Sequence, residues 1–283
     1  MMKKALLLSF CALILSASSG AVMAQDYDYH PALSDNFTIS LGWFRSDNAF
    51  KISAENLVDD AIPNDEIDFP DSVGVDDTST LFNGQFRWKF GRERKWSLMA
   101  QYFESNATGE AVLTEDVEWQ NLIFREGTFV GAGVKVAVSR LFVGRSFVKS
   151  SQHDFGMGLG LHILDVSTFI EGEVNINDET TGFQRGDADA SQPLPNIGGW
   201  WNFSPARRWL IHTRVDWISA NVDKYDGTLW NAEVGVNFQA WRHVGLGLAY
   251  QYFDLDFSVD DKDWIGSINL RYSGPVLALT FNW

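Results

Sequence analysis

The feature that most constrains this chain is a two-residue period in its apolar side chains, repeated in one stretch after another. Successive side chains of a strand point to opposite faces, so a period of two separates an apolar face from a polar one. Phe37, Ile39, Leu41 and Trp43 alternate with Thr38, Ser40 and Gly42; Phe82, Phe86, Trp88 and Phe90 oppose Asn83, Gln85, Arg87 and Lys89. Phe155, Met157, Leu159, Leu161 and Ile163 face away from Gly156, Gly158, Gly160 and His162, and 209–217, 230–239 and 244–252 repeat the pattern. A soluble β-sandwich also alternates, but its water-facing positions are usually rich in Lys, Glu and Thr. Here the polar face is Gly, Asn, Gln and Ser with scattered ions, which suits a narrow lumen, while an apolar face ending in Trp suits lipid. The expected fold is all-β: a transmembrane antiparallel up-and-down β-barrel.

Turn chemistry sets the count. Short basic or Pro/Ser connections at 91–95, 149–153, 204–208 and 241–243 alternate with longer acidic ones at 55–77, 115–126, 178–189, 223–226 and 254–263. Outer-membrane barrels have short periplasmic turns and long outer loops, so the basic set belongs to the periplasm. The strands expected between them lie near 36–54, 79–90, 96–118, 128–148, 154–174, 194–204, 208–222, 228–240, 244–258 and 263–283. That makes about ten, with eight or twelve as alternatives. In the last strand the apolar set is even at Trp264, Ile268, Leu270 and Tyr272 but odd at Leu277, Leu279, Phe281 and Trp283, so Ser273-Gly274-Pro275 reads as a bulge that flips register.

The N-terminus indicates export. Lys3 and Lys4 precede an apolar run from Ala5 to Ser16 and an Ala-Val-Met-Ala site, so a Sec signal peptide over 1–24, cleaved after Ala24, precedes a single barrel domain over 25–283. The run is too short to span a bilayer as a helix. Cys11, the only cysteine, leaves with the signal, and Phe10 before it is a poor fit to a lipoprotein site. Disulfides and thiolate chemistry are thereby excluded. The formal charge of −15 becomes −17 without Lys3 and Lys4, which argues against nucleic acid as a partner. The 12 Trp, 21 Phe and 7 Tyr fit aromatic girdles at two membrane interfaces.

The closing segment Val276-Leu277-Ala278-Leu279-Thr280-Phe281-Asn282-Trp283 resembles the last strand of Gram-negative outer-membrane β-barrel proteins. Such strands end on an aromatic residue read by the barrel-assembly machinery. Phe281 and Trp283 are therefore the implied assembly signal, with Trp in place of the commoner Phe. The acidic Ile67-Asp68-Phe69-Pro70 segment is similar to one in small uncharacterised proteobacterial barrels, which imply no activity. The resemblance implies an outer-membrane location, with membrane lipid and lipopolysaccharide as surroundings.

Chemistry-bearing residues are sparse. Omptin-type proteases place an Asp two residues before a His, but Leu210 holds that place before His212. The membrane's lipid hydrolases place a His two residues before a nucleophilic Ser, and no His here has one. Adjacent acids such as Asp59-Asp60, Asp76-Asp77 and Asp260-Asp261 point to opposite faces of a strand or lie in loops, where they are solvated charge. Neither a catalytic site, a cofactor nor a metal centre is expected, although acidic loops offer oxygen ligands to divalent cations. Arg87, His212, Arg214, Asp216, Glu233 and Arg271 fall on the polar face, as a structural ionic network or as the lining of a porin-like constriction. Ten strands enclose little more space than eight, which favours the network. His162 reads as a space-filling hydrogen-bonder. The expected role is a non-enzymatic barrel of structural, surface-interaction or narrow-channel type, the alternative a lipid or peptide hydrolase with an unfamiliar site.

Overall fold

The computed structural model describes residues 29–55, 67–119, 122–176, 179–222, 225–260 and 265–283. The expected signal peptide over 1–24 and residues 56–66 lie outside them, as does Asp261 of the last acidic pair. Ten long strands form a closed antiparallel meander: β1 (Phe37–Glu55), β3 (Thr78–Phe90), β4 (Trp96–Val112), β7 (Phe129–Lys149), β8 (His153–Ile176), β9 (Glu179–Ala206), β10 (Trp209–Val222), β11 (Tyr225–Gln239), β12 (Val244–Asp260) and β13 (Ile265–Asn282). Three short strands lie between them: β2 (Ile67–Asp68), then β5 (Val117–Trp119) and β6 (Leu122–Phe124), which pair as a small hairpin. Helix α1 (Phe69–Val73) follows β2. Pairing of β13 with β1 from Thr38↔Asn282 to Glu55↔Ile265 closes the barrel, and Phe37 and Trp283 exchange backbone hydrogen bonds of 2.9 and 3.1 Å at its foot. Among the described residues no helix is long and apolar enough to cross a membrane; the strands do so instead.

Strands β8 and β9 have 24 and 28 residues, against the roughly 9 to 11 that cross a hydrocarbon core. The barrel therefore has two storeys. In the lower one, outward side chains are apolar: Leu248 is 61% exposed, and Trp43, Phe82, Trp217 and Trp230 mark the upper edge of a lipid belt. Trp88, Trp96, Trp201, Trp209 and Trp283 mark its lower edge. In the upper storey the polarity is inverted. Outward positions carry ion pairs such as Lys135–Glu104 (3.3 Å), Arg185–Glu171 (3.2 Å) and Lys51–Asp68 (3.2 Å). Inward ones form an apolar core in which Phe44, Phe50, Phe103, Phe253, Leu270 and Tyr272 are wholly buried.

This inversion corrects the expected register flip in the last strand. Even residues of β13 point inward throughout, and its ladder with β12 runs unbroken through Tyr252↔Ser273, Gln251↔Gly274 and Tyr250↔Pro275. What changes along the strand is which face is apolar. A further correction concerns 178–189, expected as a loop: β9 starts at Glu179 and pairs with β8 to the tip. Its inward residues there are the small Gly186, Ala188 and Ala190, and Asp187 and Asp189 face water, so the segment lacks the apolar period that marks the other strands.

The acidic stretches 55–77 and 115–126 also do more than coat the surface. Asp68 caps α1 by accepting from the Asp71 amide, Pro70 lies in its first turn, and Gly74 ends it in the left-handed region at φ 72°. A Cβ at Gly74 would meet the Glu110 carbonyl oxygen at 2.8 Å. Phe69 is thereby driven edge-on against Trp119 of the hairpin, with centroids 5.6 Å apart, and the Trp119 indole donates to the Gly186 carbonyl at 3.1 Å. Helix and hairpin together stopper the top of the apolar core.

Two same-face substitutions on β12 separate the storeys. Leu248→Arg should cost roughly 2 to 4 kcal/mol of stability in lipid vesicles, whereas Asp256→Arg, outward on the same strand, should stay within about 0.5 kcal/mol. Denaturant titration of both variants checks it, and equal costs would place Asp256 in lipid.

Candidate functional site

Below the apolar core the lumen holds a polar layer built from inward residues of eight strands. Its centre is a buried ion pair: Arg140 of β7 donates from Nη2 to Asp216 Oδ1 of β10 at 2.6 Å, and its Nε lies in ionic contact with Oδ2 at 2.6 Å. Charge contact at both carboxylate oxygens offsets desolvation better than contact at one. Arg214 of β10 adds its charge 3.8 Å from the same carboxylate and donates to Gln101 Oε1 at 2.7 Å. Glu233 of β11, opposite Arg214 in the ladder, is held by His212 Nε2 at 3.3 Å and by Gln85 Nε2 at 2.6 Å. Amides complete the layer: Asn83 donates to Gln251 at 2.6 Å, and His162 lies between Asn196 (3.1 Å) and Asn231 (3.0 Å). With the Asn231 amide donating to Nε2, the His162 proton sits on Nδ1 and faces the Asn196 carbonyl oxygen. Both ring nitrogens are used, as the space-filling reading requires.

A second ionic level lies nearer the foot of the barrel. Arg87 of β3 meets Asp154 of β8 at 3.0 Å and stacks 5.0 Å over the Trp200 ring. Asp154 also accepts from Ser146 at 2.6 Å and from the Trp200 indole at 3.2 Å. Room for that indole comes from facing glycines: a Cβ at Gly156 or Gly144 would lie 2.2 or 2.6 Å from its ring carbons.

The mouth is closed by the segment before β1. Pro31–Leu33 makes one turn of 3-10 helix, and His30, 1% exposed, enters the barrel. Its Nδ1 accepts from the Ala32 amide at 3.1 Å, so Nε2 carries the proton and donates to Asn237 at 2.9 Å; the His30 amide donates to Ser204 Oγ at 2.9 Å. Lys89 Nζ reaches the Ala32 carbonyl at 2.5 Å, and Arg94 the Ser34 carbonyl. Between this plug and the polar layer lies a cavity of about 150 Å³, bounded by His30, Arg87, His212, Arg214, Glu233 and Ser40.

Five of the six residues expected in the lumen are there: Arg87, His212, Arg214, Asp216 and Glu233. Arg271 is not. It points outward in the upper storey, its side chain 52% exposed, and pairs with Asp254 at 3.4 Å. The expectation came from taking the even, apolar face of β13 as lipid-facing when it lines the core. Sequence reasoning missed Arg140, because outward Ala137, Ser139 and Leu141 do not read as an apolar face, and Asp154, which begins its strand. It also missed His30, which lies in no periodic segment. Phe281 and Trp283 face outward at the foot of β13, Trp283 stacked on Phe37 at 6.0 Å. Among the described residues no three His, Asp or Glu side chains converge on a metal site.

No known family model matches the chain, and no curated protein matches it in sequence. Among solved structures it is similar to the outer membrane protease OmpT of Escherichia coli, with a TM-score of 0.58 at 10% identity, over 92% of this chain and 100% of that one. The chain has the outer-membrane β-barrel fold. Weaker similarities are to the attachment invasion locus protein Ail of Yersinia pestis (TM-score 0.30, 9% identity, 88% of this chain and 99% of that one) and to OprG of Pseudomonas aeruginosa (0.39, 13%, 88% and 96%).

Two measurements follow from this geometry. Asp216→Ala leaves Arg140 buried without its partner and should cost about 3 to 5 kcal/mol, whereas Asp254→Ala at the exposed pair should cost at most about 1 kcal/mol. Equilibrium unfolding of both barrels in lipid tests the contrast. The plug should also respond to acid. Burial, only partly offset by the Asn237 contact and reinforced by His212 and Lys89, pushes the His30 pKa from 6.5 down to about 4. An unfolded or undocked His30 takes up its proton first, so docking is at full strength above pH 6.5 and weakens as pH falls toward 4, by on the order of 3 kcal/mol. Hydrogen exchange at the Ala32 and Ser34 amides should accelerate over that window, and His30→Gln should flatten the pH dependence.

Proposed function

We propose that this protein is a closed, non-catalytic barrel of the outer membrane that acts at the cell surface through its projecting upper storey. One observation carries the reading: the lumen is obstructed at three levels of different chemistry. The plug of Pro31–Leu33 and His30 lies at the foot, the Arg140–Asp216 layer in the middle, and the apolar core under α1 and the hairpin at the top. An ionic constriction alone could gate a hydrated pore, but an apolar core packed around Phe103 and Tyr272 excludes water and ions.

The rest of the molecule supports the same reading. The two Trp-rich belts fit seating in lipid, with lipopolysaccharide around the upper storey, and the outward Phe281 and Trp283 fit recognition by the assembly machinery. Divalent cations would be shared with lipopolysaccharide phosphates at exposed acids such as Asp187 and Asp256 and not held in a dedicated site. Among the described residues His212 engages Glu233 and no hydroxyl, which favours a structural role over activation of a nucleophile.

Planar-bilayer recording tests the reading. The purified barrel should carry no steady current, and Arg214→Ala should stay silent even though it unbalances the polar layer, because the apolar core above is untouched. A steady ohmic conductance from the parent protein would make it a channel and end the proposal.

A further inference from the structure

The cavity above the plug is too small for a drug-sized ligand, which fills roughly 300 to 1,000 Å³, yet larger than one water needs. Two guanidinium groups from different strands border it, and they are not equivalent. Arg87 is satisfied by Asp154 at 3.0 Å and by the Trp200 face. Arg214 is 9% exposed, gives one bond to Gln101, and has a buried Nε without a hydrogen-bond partner. Its nearest carboxylate oxygen, on Asp216 at 3.8 Å, is already engaged by Arg140 at 2.6 Å. A buried guanidinium N–H left unpaired is costly, and its planar array of donors suits an oxyanion.

One wall carries the negative charge of Glu233, but both of its oxygens are engaged, by His212 at 3.3 Å and Gln85 at 2.6 Å, and the two guanidinium groups outnumber it. Thr38 and Thr280 add hydroxyls, and the Ser40 side chain borders the space from β1. Around the mouth the short turns carry Arg92, Arg94, Lys95, Arg207, Arg208 and Arg242 against Glu93. A basic rim on a chain of net charge −15 draws anions to that end in particular.

We propose that this cavity binds one compact oxyanion, a phosphate group or a small carboxylate, admitted from the periplasmic side when the His30 segment undocks, with the Arg214 guanidinium as its principal contact. The barrel would then be a receptor for a small anion at its inner face while closed to passage. The site stands apart from the surface role, since anion binding and conductance are read separately.

The test uses the signal-processed chain folded in detergent micelles, titrated with sodium phosphate or sodium acetate against sodium chloride at matched ionic strength. Calorimetry should give saturable heat for phosphate, acetate or both, and the thermal midpoint should rise with the ligand that binds; chloride should do neither. Phosphate binding alone assigns a phosphoryl ligand, and acetate binding alone a carboxylate. Arg214→Gln should weaken binding by at least about tenfold. Should that variant fail to fold, Ser40→Leu fills the cavity while leaving every charge in place and should abolish binding. Arg271→Gln, outside the barrel, should bind as the parent does. Absence of saturable binding of both anions to the parent overturns the proposal, as does parent-like affinity in Arg214→Gln or in folded Ser40→Leu.

Discussion

Everything in this structure depends on the closure of β13 against β1. In lipid an unpaired backbone amide has no water to turn to, so a sheet can cross the membrane only when its two edges satisfy each other. The ladder from Thr38↔Asn282 to Glu55↔Ile265 does this, and it fixes every other register through the chain of antiparallel neighbours. Closure then creates a second problem, which is what to put inside. Ten strands enclose a space that side chains can fill, and the chain fills it differently at different heights.

The inversion of polarity between storeys follows from where water is. Within the membrane the outside must be apolar and the interior is free to be polar, provided its charges are paired, as Arg140 and Asp216 are. Above the membrane the outside meets water, and the interior becomes the only dry place on which stability can rest. β13 shows the change within one strand: Leu270 and Tyr272 are buried inside, while Leu277 is exposed to lipid outside. No bulge is needed, since the pleat continues and only the choice of residue changes.

That inversion also explains how far the sequence could be read. The lower storey was legible because its outward face is apolar and its inward face is small and polar, so Phe82 to Phe90 and Trp230 to Gln239 declare both strand and orientation. In the upper storey a strand with apolar residues inward looks like one displaced by a residue, which is why Arg271 was placed on the wrong side. Segments whose inward positions are Gly and Ala, such as 186–190, show no period at all. The plug and α1 were illegible for another reason: His30 and Phe69 are buried by partners far away in sequence, Asn237 and Trp119, which no local pattern announces.

The plug has a consequence for the order of events during assembly. His30 precedes the first strand of the barrel, yet the groups that hold it, Ser204 and Asn237, lie 174 and 207 positions later. Contacts of such separation form only after the intervening chain has been brought into place. The foot of the barrel therefore stays open while the strands are being added, and residues made before the first strand are among the last to find their seat. Docking of His30 is in this sense a mark of completion: it requires β9 and β11 to be in register side by side with β10, and a barrel that closes out of register has nowhere to put its own beginning.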